Sequence, residues 1–148
     1  MPGHRIGAVV AAPHVLHAVS KWHDCMSIVA PIVGQEFAEF ALAKLVDWRE
    51  QLAREIRAKG QRFVEQLKVH QTGFRVDSWG GFFAWLEHPF LDMSDEEAAR
   101  HLAASIGVLT VPGSYFASAD TGRVRLSFAA LNGKLLDDVV ERLAEVSR

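Results

Sequence analysis

The spacing of apolar residues predicts one buried strand and two helices in the first third of the chain. Residues 5–12 are almost all small or apolar, and a run without alternation is typical of a strand covered on both faces of a parallel sheet. Pro13 then stands where a helix can begin. The apolar positions at helical spacing are Val15, Leu16 and Val19 in the first helix, and Phe37, Phe40, Ala41 and Leu45 in the second. These elements are too few to cover a buried strand, so we expect another chain or a preceding part of the protein to cover it.

The longest periodic stretch in the chain predicts a single amphipathic helix. Its apolar stripe consists of Leu45, Trp48, Leu52, Ile56, Phe63 and Leu67, with charged residues between them. Gly60 interrupts the stretch at a cost of about 1 kcal/mol relative to alanine, which does not end such a helix. A helix of this length spans about 33 Å, the width of a small domain. We therefore expect it to connect two bodies.

Residues 72–148 show short periodic segments that predict a compact α+β unit with a mostly antiparallel sheet. The predicted strands are residues 74–78, 82–86, 108–111 and 123–128. Between them, Ser94 and Glu97 have the spacing of a capping box that begins a helix, and Gly107 supplies its left-handed end. Apolar residues from Leu135 to Leu143 predict the final helix.

Composition and charge exclude several classes of protein. The chain has 148 residues, of which 49% are hydrophobic, and this suits one ordinary globular domain. Sixteen Lys and Arg against 18 Asp and Glu argue against a nucleic-acid partner. The single cysteine, Cys25, excludes an internal disulfide framework and fits a reducing, cytoplasmic compartment. Pro13, His14 and His17 interrupt the apolar N-terminal run, so we expect neither a signal peptide nor a membrane span.

The histidines invite a metal hypothesis that the spacing does not support. His14 and His17 lie one helical turn apart, and His23, Asp24 and Cys25 are adjacent potential ligands. The sequence nevertheless contains neither a Cys-x-x-Cys pair nor a His-Glu-x-x-His motif. We therefore assign no metal site.

Five segments, in order along the chain, resemble the class I and II aminotransferases, the fold type I enzymes that use pyridoxal phosphate (PLP). Pro2-Gly3-His4-Arg5-Ile6-Gly7 is similar to the segment directly after the cofactor lysine of that family. Ala30-Pro31 with Gly34-Gln35 resembles the family's segment before a large-domain helix, and residues 79–86 (WGGFFAWL) resemble its first small-domain hairpin. Residues 107–116 (GVLTVPGSYF) are similar to a turn of the family, and residues 124–129 (VRLSFA) resemble its carboxylate-binding strand.

The resemblance implies an α/β fold, the C-terminal part of the fold type I PLP-transferase fold. Residues 1–46 would be a remnant of the parallel sheet of the large PLP-binding domain. Residues 47–69 would be the long connecting helix. Residues 70–148 would be the small domain, an α+β unit with a mostly antiparallel sheet and flanking helices.

The resemblance also implies roles for two arginines. Arg5 matches the arginine that contacts the phosphate of PLP, and a guanidinium suits a phosphate because it binds bidentately and stays charged. Arg125 matches the arginine that binds the α-carboxylate of the amino acid or 2-oxo acid substrate. From the residues alone, Arg123 on the same strand face would be an equal candidate, but the position before Leu-Ser-Phe-Ala selects Arg125.

The lysine that anchors PLP in this family lies a few residues before the segment that contains Arg5. In this sequence that position falls upstream of Met1. None of the five lysines occupies it: they are Lys21, Lys44, Lys59, Lys68 and Lys134. PLP chemistry needs that lysine both as the covalent anchor and as the base. We therefore assign no catalytic residue, and we do not expect the chain alone to transaminate or to hold PLP covalently.

The leading hypothesis is that the chain is the C-terminal portion of a PLP-dependent aminotransferase, active as a homodimer in its complete form. One alternative is a truncated, non-catalytic domain that is stable only through self-association. The other is a PLP-dependent lyase of the same fold.

Overall fold

The chain forms two units, and the boundary between them falls within a long helix. The computed structural model describes Gly3 and residues 5–146. Its two compact units are Met1–Gln51 and Leu52–Arg148. Pro2 and His4 of the first predicted motif lie outside the described residues. The division into residues 1–46, 47–69 and 70–148 stays a prediction.

The first unit is helical. It contains α1 (Pro13–Met26), α2 (Ile32–Lys44) and the beginning of α3 (Val46–Val69). Pro13 is the first helical residue of α1, as predicted, because its missing N–H costs nothing there. In the described part of this unit only Gly34 and Ala41 are buried, while large apolar side chains are exposed.

The buried strand predicted over residues 5–12 is wrong for the described structure. Residues 6–12 are in neither a strand nor a helix, and the side chain of Val10 is 97% exposed. A strand exists only where a neighbour completes its hydrogen-bond ladder, and none of the described strands lies in this unit. The segment is apolar, as predicted, but it pairs with no strand among the described residues.

The second unit contains the sheet. Its strands are β1 (Arg75–Gly80), β2 (Phe83–Glu87), β3 (Val111–Pro112) and β4 (Arg123–Ser127), and its helices beyond α3 are α4 (Asp95–Ile106) and α5 (Gly133–Val146). The strand order is β1-β2-β4-β3, and every neighbouring pair is antiparallel. The predicted mostly antiparallel sheet is therefore confirmed.

Local signals place the ends of α4 correctly. Ser94 and Glu97 form both halves of the capping box: the backbone N–H of Ser94 donates to Glu97 Oε2 at 2.9 Å, and the Ser94 hydroxyl accepts from the N–H of Glu97. Gly107 ends the helix with φ +67°. The strand predicted over residues 108–111 is shorter than expected, because the N–H of Val108 closes the helix end on Leu102 O at 3.2 Å. Only Val111 and Pro112 remain to form β3.

The alternation of β2 and β4 separates two faces of the sheet. Ala84 and Leu86 on β2 and Val124 and Leu126 on β4 are buried. They pack with apolar residues of the helices and of the segment after β4, including Phe63, Leu67, Leu102, Leu136, Val140 and Phe128. The opposite face carries Phe83, Trp85, Arg123 and Arg125. The core therefore lies on one face of the sheet, and the candidate arginine on the other.

The predicted stripe of α3 is only partly buried. Phe63 and Leu67 lie in the core, while Trp48 is exposed. Gly60 is also buried, and its Cα faces the ring of Trp79 on β1. Within the described residues, none of the helices combines the length and the apolarity needed to cross a membrane.

Candidate functional site

Arg125 lies on β4, which is hydrogen-bonded to a strand on each side. It is opposite Trp85 on β2 and opposite Val111 on β3. Because its backbone is held by two neighbours, the origin of its side chain is rigid. The side chain projects from the face of the sheet that the helices do not cover.

Two aromatic rings enclose the guanidinium of Arg125. Its Cζ lies 4.3 Å from the ring centroid of Phe83 and 4.4 Å from that of Phe116. Trp85 in turn packs edge-on against Phe116, with ring centroids 5.7 Å apart. Each cation–π contact contributes about 0.5–2 kcal/mol, the larger value where water is excluded. The two rings therefore restrain the orientation of the guanidinium.

Arg125 has a charge that the described residues do not neutralise. Its Nε is buried without a hydrogen-bond partner, and none of the ion pairs in the described part of the chain involves this residue. It borders a cavity of about 450 Å³, whose lining is Ser78, Trp79, Gly80, Phe83, Trp85 and Arg125. A planar guanidinium beside such a space is suited to a carboxylate, which it can bind with two parallel N–H···O bonds.

Arg123, the other candidate on this strand, is already engaged. Its Nε donates to Asp77 Oδ2, and its guanidinium lies 3.8 Å from Glu87 Oε2. It also donates to the backbone oxygen of Thr121. These internal partners occupy the donors that a ligand would need. The geometry therefore favours Arg125 over Arg123 as the carboxylate-binding group.

Arg5 lies in the first unit and is exposed. Its φ of 53° is in the left-handed region, which residues other than glycine rarely adopt and which is more frequent at functional sites than elsewhere. An exposed guanidinium has the charged N–H donors that a phosphate site requires. The predicted role of Arg5 toward the PLP phosphate is compatible with this geometry and stays a prediction.

The aromatic partners of Arg125 were missed by sequence reasoning, which predicts only a strand over residues 82–86. Alternation along β2 contains the signal: if Ala84 and Leu86 face the core, Phe83 faces the other way, as Arg125 does. Phe116 has no comparable signal, because it belongs to a 3₁₀ turn over Gly113–Phe116.

The histidine and cysteine groupings show no metal centre in the described residues. No three His, Cys, Asp or Glu side chains of this part of the chain are placed to share a metal ion. Cys25 is exposed, and its thiol is free.

The chain is similar to known proteins of one family. A family model described as aminotransferase class I and II matches residues 1–143. The chain is 29% identical over 141 residues to a putative aminotransferase, YugH, of Bacillus subtilis, covering 95% of this chain and 36% of that protein. It is also 29% identical over 141 residues to an aspartate aminotransferase of Pyrococcus horikoshii, covering 93% of this chain and 36% of that protein. The chain thus spans about a third of the length of the curated relatives it matches.

A solved structure matches almost the whole chain. It is LysN, an α-aminoadipate aminotransferase of Thermus thermophilus, complexed with N-(5'-phosphopyridoxyl)-L-leucine. The TM-score is 0.74 at 28% identity, over 99% of this chain and 38% of that one. Apart from the strand at residues 5–12, the predicted fold class is confirmed.

Proposed function

The chain belongs to the class I and II aminotransferase family, and from this premise we propose that it is the C-terminal portion of a PLP-dependent aminotransferase. In this proposal Arg125 binds the α-carboxylate shared by the amino acid and 2-oxo acid substrates. The observation that carries it is the un-neutralised guanidinium held between Phe83 and Phe116 beside an open cavity. Amino-group transfer is preferred to lyase chemistry because the family model and both curated relatives are aminotransferases by name.

The mechanism assigned to the site is binding and orientation. The two rings exclude water from the faces of the guanidinium, and charge-assisted hydrogen bonds strengthen when the local dielectric falls. A carboxylate bound through both oxygens has a fixed plane and a fixed direction of its bond to Cα, which restricts where Cα can lie. PLP, when bound, supplies the electron sink for the charge that develops at Cα. Arg5 would hold the phosphate of that cofactor.

The proton transfer at Cα needs a base, and we propose that no lysine of this chain supplies it. All five lysines lie on helices: Lys21 on α1, Lys44 on α2, Lys59 and Lys68 on α3, and Lys134 on α5. Lys59 is further engaged, because its Nζ donates to Ala129 O at 2.9 Å. The chain on its own therefore binds a substrate carboxylate but does not transaminate.

The assembly is proposed to be a homodimer in the cytoplasm. Exposed apolar side chains in the first unit support an interface, among them Trp22 (73% exposed) and Met26 (82%). The same exposure favours the second candidate, a non-catalytic domain that is stable through self-association. Light scattering tests the self-association that both candidates include: a monomeric mass at micromolar concentration would contradict it.

The carboxylate role is tested by titrating the chain with pyruvate, a simple 2-oxo acid, and comparing it with Arg125→Gln. Loss of a charge-assisted pair predicts an affinity at least about tenfold lower in the variant. Pyruvamide, which lacks the negative charge, should bind neither protein. Trp85 packs on Phe116, one of the two rings that enclose Arg125, so the fluorescence of Trp85 is a convenient signal of pyruvate binding.

The matched control is Arg123→Gln, on the same face of the same strand. Its guanidinium is paired with Asp77 and Glu87, so its loss should leave pyruvate affinity within about twofold of wild type. Equal affinity of wild type and Arg125→Gln would overturn the proposal. A loss confined to Arg123→Gln would transfer the role to that residue.

A further inference from the structure

A buried carboxylate lies behind the strand that carries Arg125. Asp95 is the first residue of α4 and has no solvent exposure. The capping box does not explain it, since that box uses Ser94 and Glu97. Its burial therefore requires partners from another part of the fold.

Those partners are the residues that lead into β4. Asp95 Oδ2 accepts from the backbone N–H and from the hydroxyl of Thr121, both at 2.9 Å. Its Oδ1 accepts from the backbone N–H of Arg123 at 3.0 Å. Its own N–H donates to Asp120 Oδ1 at 3.2 Å. Asp95 thus joins the N-terminus of α4 to residues 120–123, the approach to β4.

The same carboxylate contacts the turn that carries Phe116. A Cβ added to Gly113, the first residue of the 3₁₀ turn, would stand 3.0 Å from Asp95 Oδ2 and 2.8 Å from Arg123 O, and would overlap Thr121 Oγ1. Glycine is therefore required for the turn to approach this cluster so closely. Phe116 follows at the end of the turn.

Asp95 is ionised in the folded chain. Burial alone would raise the pKa of its carboxyl, but hydrogen bonds from Thr121, Arg123 and Gly122 outweigh burial and lower the pKa below its usual value. Hydrogen bonds to an ionised group are stronger than those between neutral groups. Removing the charge would weaken every bond in the cluster at once and leave buried N–H donors without a full partner.

We propose that Asp95 is a positioning residue for Arg125. By binding the approach to β4 and standing close against the first residue of the turn that ends at Phe116, it sets the gap between Phe83 and Phe116 into which the guanidinium fits. The inference rests on the proposed function, since the orientation of Arg125 matters because it binds a carboxylate. Asp95 itself contacts neither substrate nor cofactor.

The test compares Asp95→Asn with Ser94→Ala in the full chain. Both substitutions damage the N-terminus of α4, but only the first removes bonds to Thr121 and Arg123. The readout is the NMR signal of the Nε–H proton of Arg125, assigned by its absence from Arg125→Gln. In the ligand-free chain, ring currents of Phe83 and Phe116 should move the chemical shift of this proton away from the chemical shifts of exposed arginines.

Asp95→Asn should move the Arg125 signal toward those of exposed arginines and weaken pyruvate binding by about tenfold. Ser94→Ala should lower thermal stability and leave both the signal and the affinity unchanged. The proposal is overturned if Asp95→Asn keeps the wild-type signal and affinity, or if Ser94→Ala changes them to the same extent.

A second pair of variants serves if Asp95→Asn does not fold. Thr121→Val removes one donor to Asp95 at nearly constant volume and should shift the Arg125 signal in the same direction. Thr121→Ser retains the hydroxyl and should restore the wild-type signal; failure of this rescue would count against Asp95. If pyruvate does not perturb the wild-type signal at all, the proposed function fails, while the ligand-free signal still decides the role of Asp95.

Discussion

Gly60 stands in the middle of α3, where helix propensity alone favours alanine by about 1 kcal/mol. The packing around it predicts the opposite. A Cβ built on Gly60 would lie no more than 3.0 Å from three carbon atoms, two in the ring of Trp79 and one in the ring of Phe128. Gly60→Ala is therefore expected to destabilise the chain.

The magnitude follows from what can move. Phe128 is fully buried and stacks on Phe63, with ring centroids 6.0 Å apart, so it cannot yield. Trp79 is 36% exposed and can swing outward, but it then loses its edge contact with Phe128, where the centroids are 6.1 Å apart. Overpacking of this kind costs about 1–3 kcal/mol and the aromatic contact about 0.5–1.5 kcal/mol. Set against the gain in propensity of about 1 kcal/mol, the net loss is about 0.5–3.5 kcal/mol.

Urea unfolding followed by far-ultraviolet circular dichroism measures this difference. Ala58→Gly, at an exposed position of the same helix, reports the propensity term alone and should cost about 1 kcal/mol. In a Trp79→Ala background the nearer ring is absent and only the contact with Phe128 remains, so Gly60→Ala should cost at least about 1 kcal/mol less than it does in the wild-type chain. If Gly60→Ala has the same effect in the wild-type chain and in Trp79→Ala, the close approach of Trp79 to α3 is refuted.

Two further predictions concern acid stability and the cofactor. Burial lowers the pKa of His88 below 6.5 despite the opposing charges of Asp95, Glu87 and Asp120, so the unfolded chain binds the proton first as pH falls. The His88 contribution to stability is therefore complete above about pH 6.5 and is lost progressively below it. His88→Phe removes two ring nitrogens without hydrogen-bond partners, so urea unfolding of this variant should show a smaller loss of stability between about pH 7 and pH 5. An unchanged slope of stability against pH would contradict the assignment to His88. Incubation with PLP followed by borohydride and peptide mass mapping should label no single lysine selectively; a unique labelled lysine would refute the claim that the chain lacks the cofactor lysine.

The parts of the fold that sequence reasoning predicts correctly depend on neighbours in sequence. The capping box at Ser94 and the left-handed glycine at Gly107 are both complete within a few residues, so the pattern contains all the physics that forms them. The segment at residues 5–12 differs, because a strand is made by a ladder partner that its own pattern does not specify. Apolar periodicity there predicts what must be covered, but it does not predict what covers it.

The residues of the candidate site also differ in how far the sequence alone predicts them. The resemblance identifies Arg125, and alternation along β2 could have placed Phe83 beside it. Asp95 could not be found, because the N–H groups that it accepts from lie 26 and 28 residues further along the chain. In sequence it is one acidic residue in the first turn of a helix, where a carboxylate is favourable in any case.

The orientation of Arg125 and the integrity of the core depend on one register. Along β4, Val124 and Leu126 enter the core while Arg125 projects from the other face. A slip of one residue against β2 would bury the guanidinium among apolar side chains and expose both aliphatic residues. Asp95 opposes such a slip, because its bonds to Thr121 and to the first residue of β4 would have to break. The face that binds a carboxylate is therefore set by the same pairing that buries the core, and a change that loosens the approach to β4 should disturb both together.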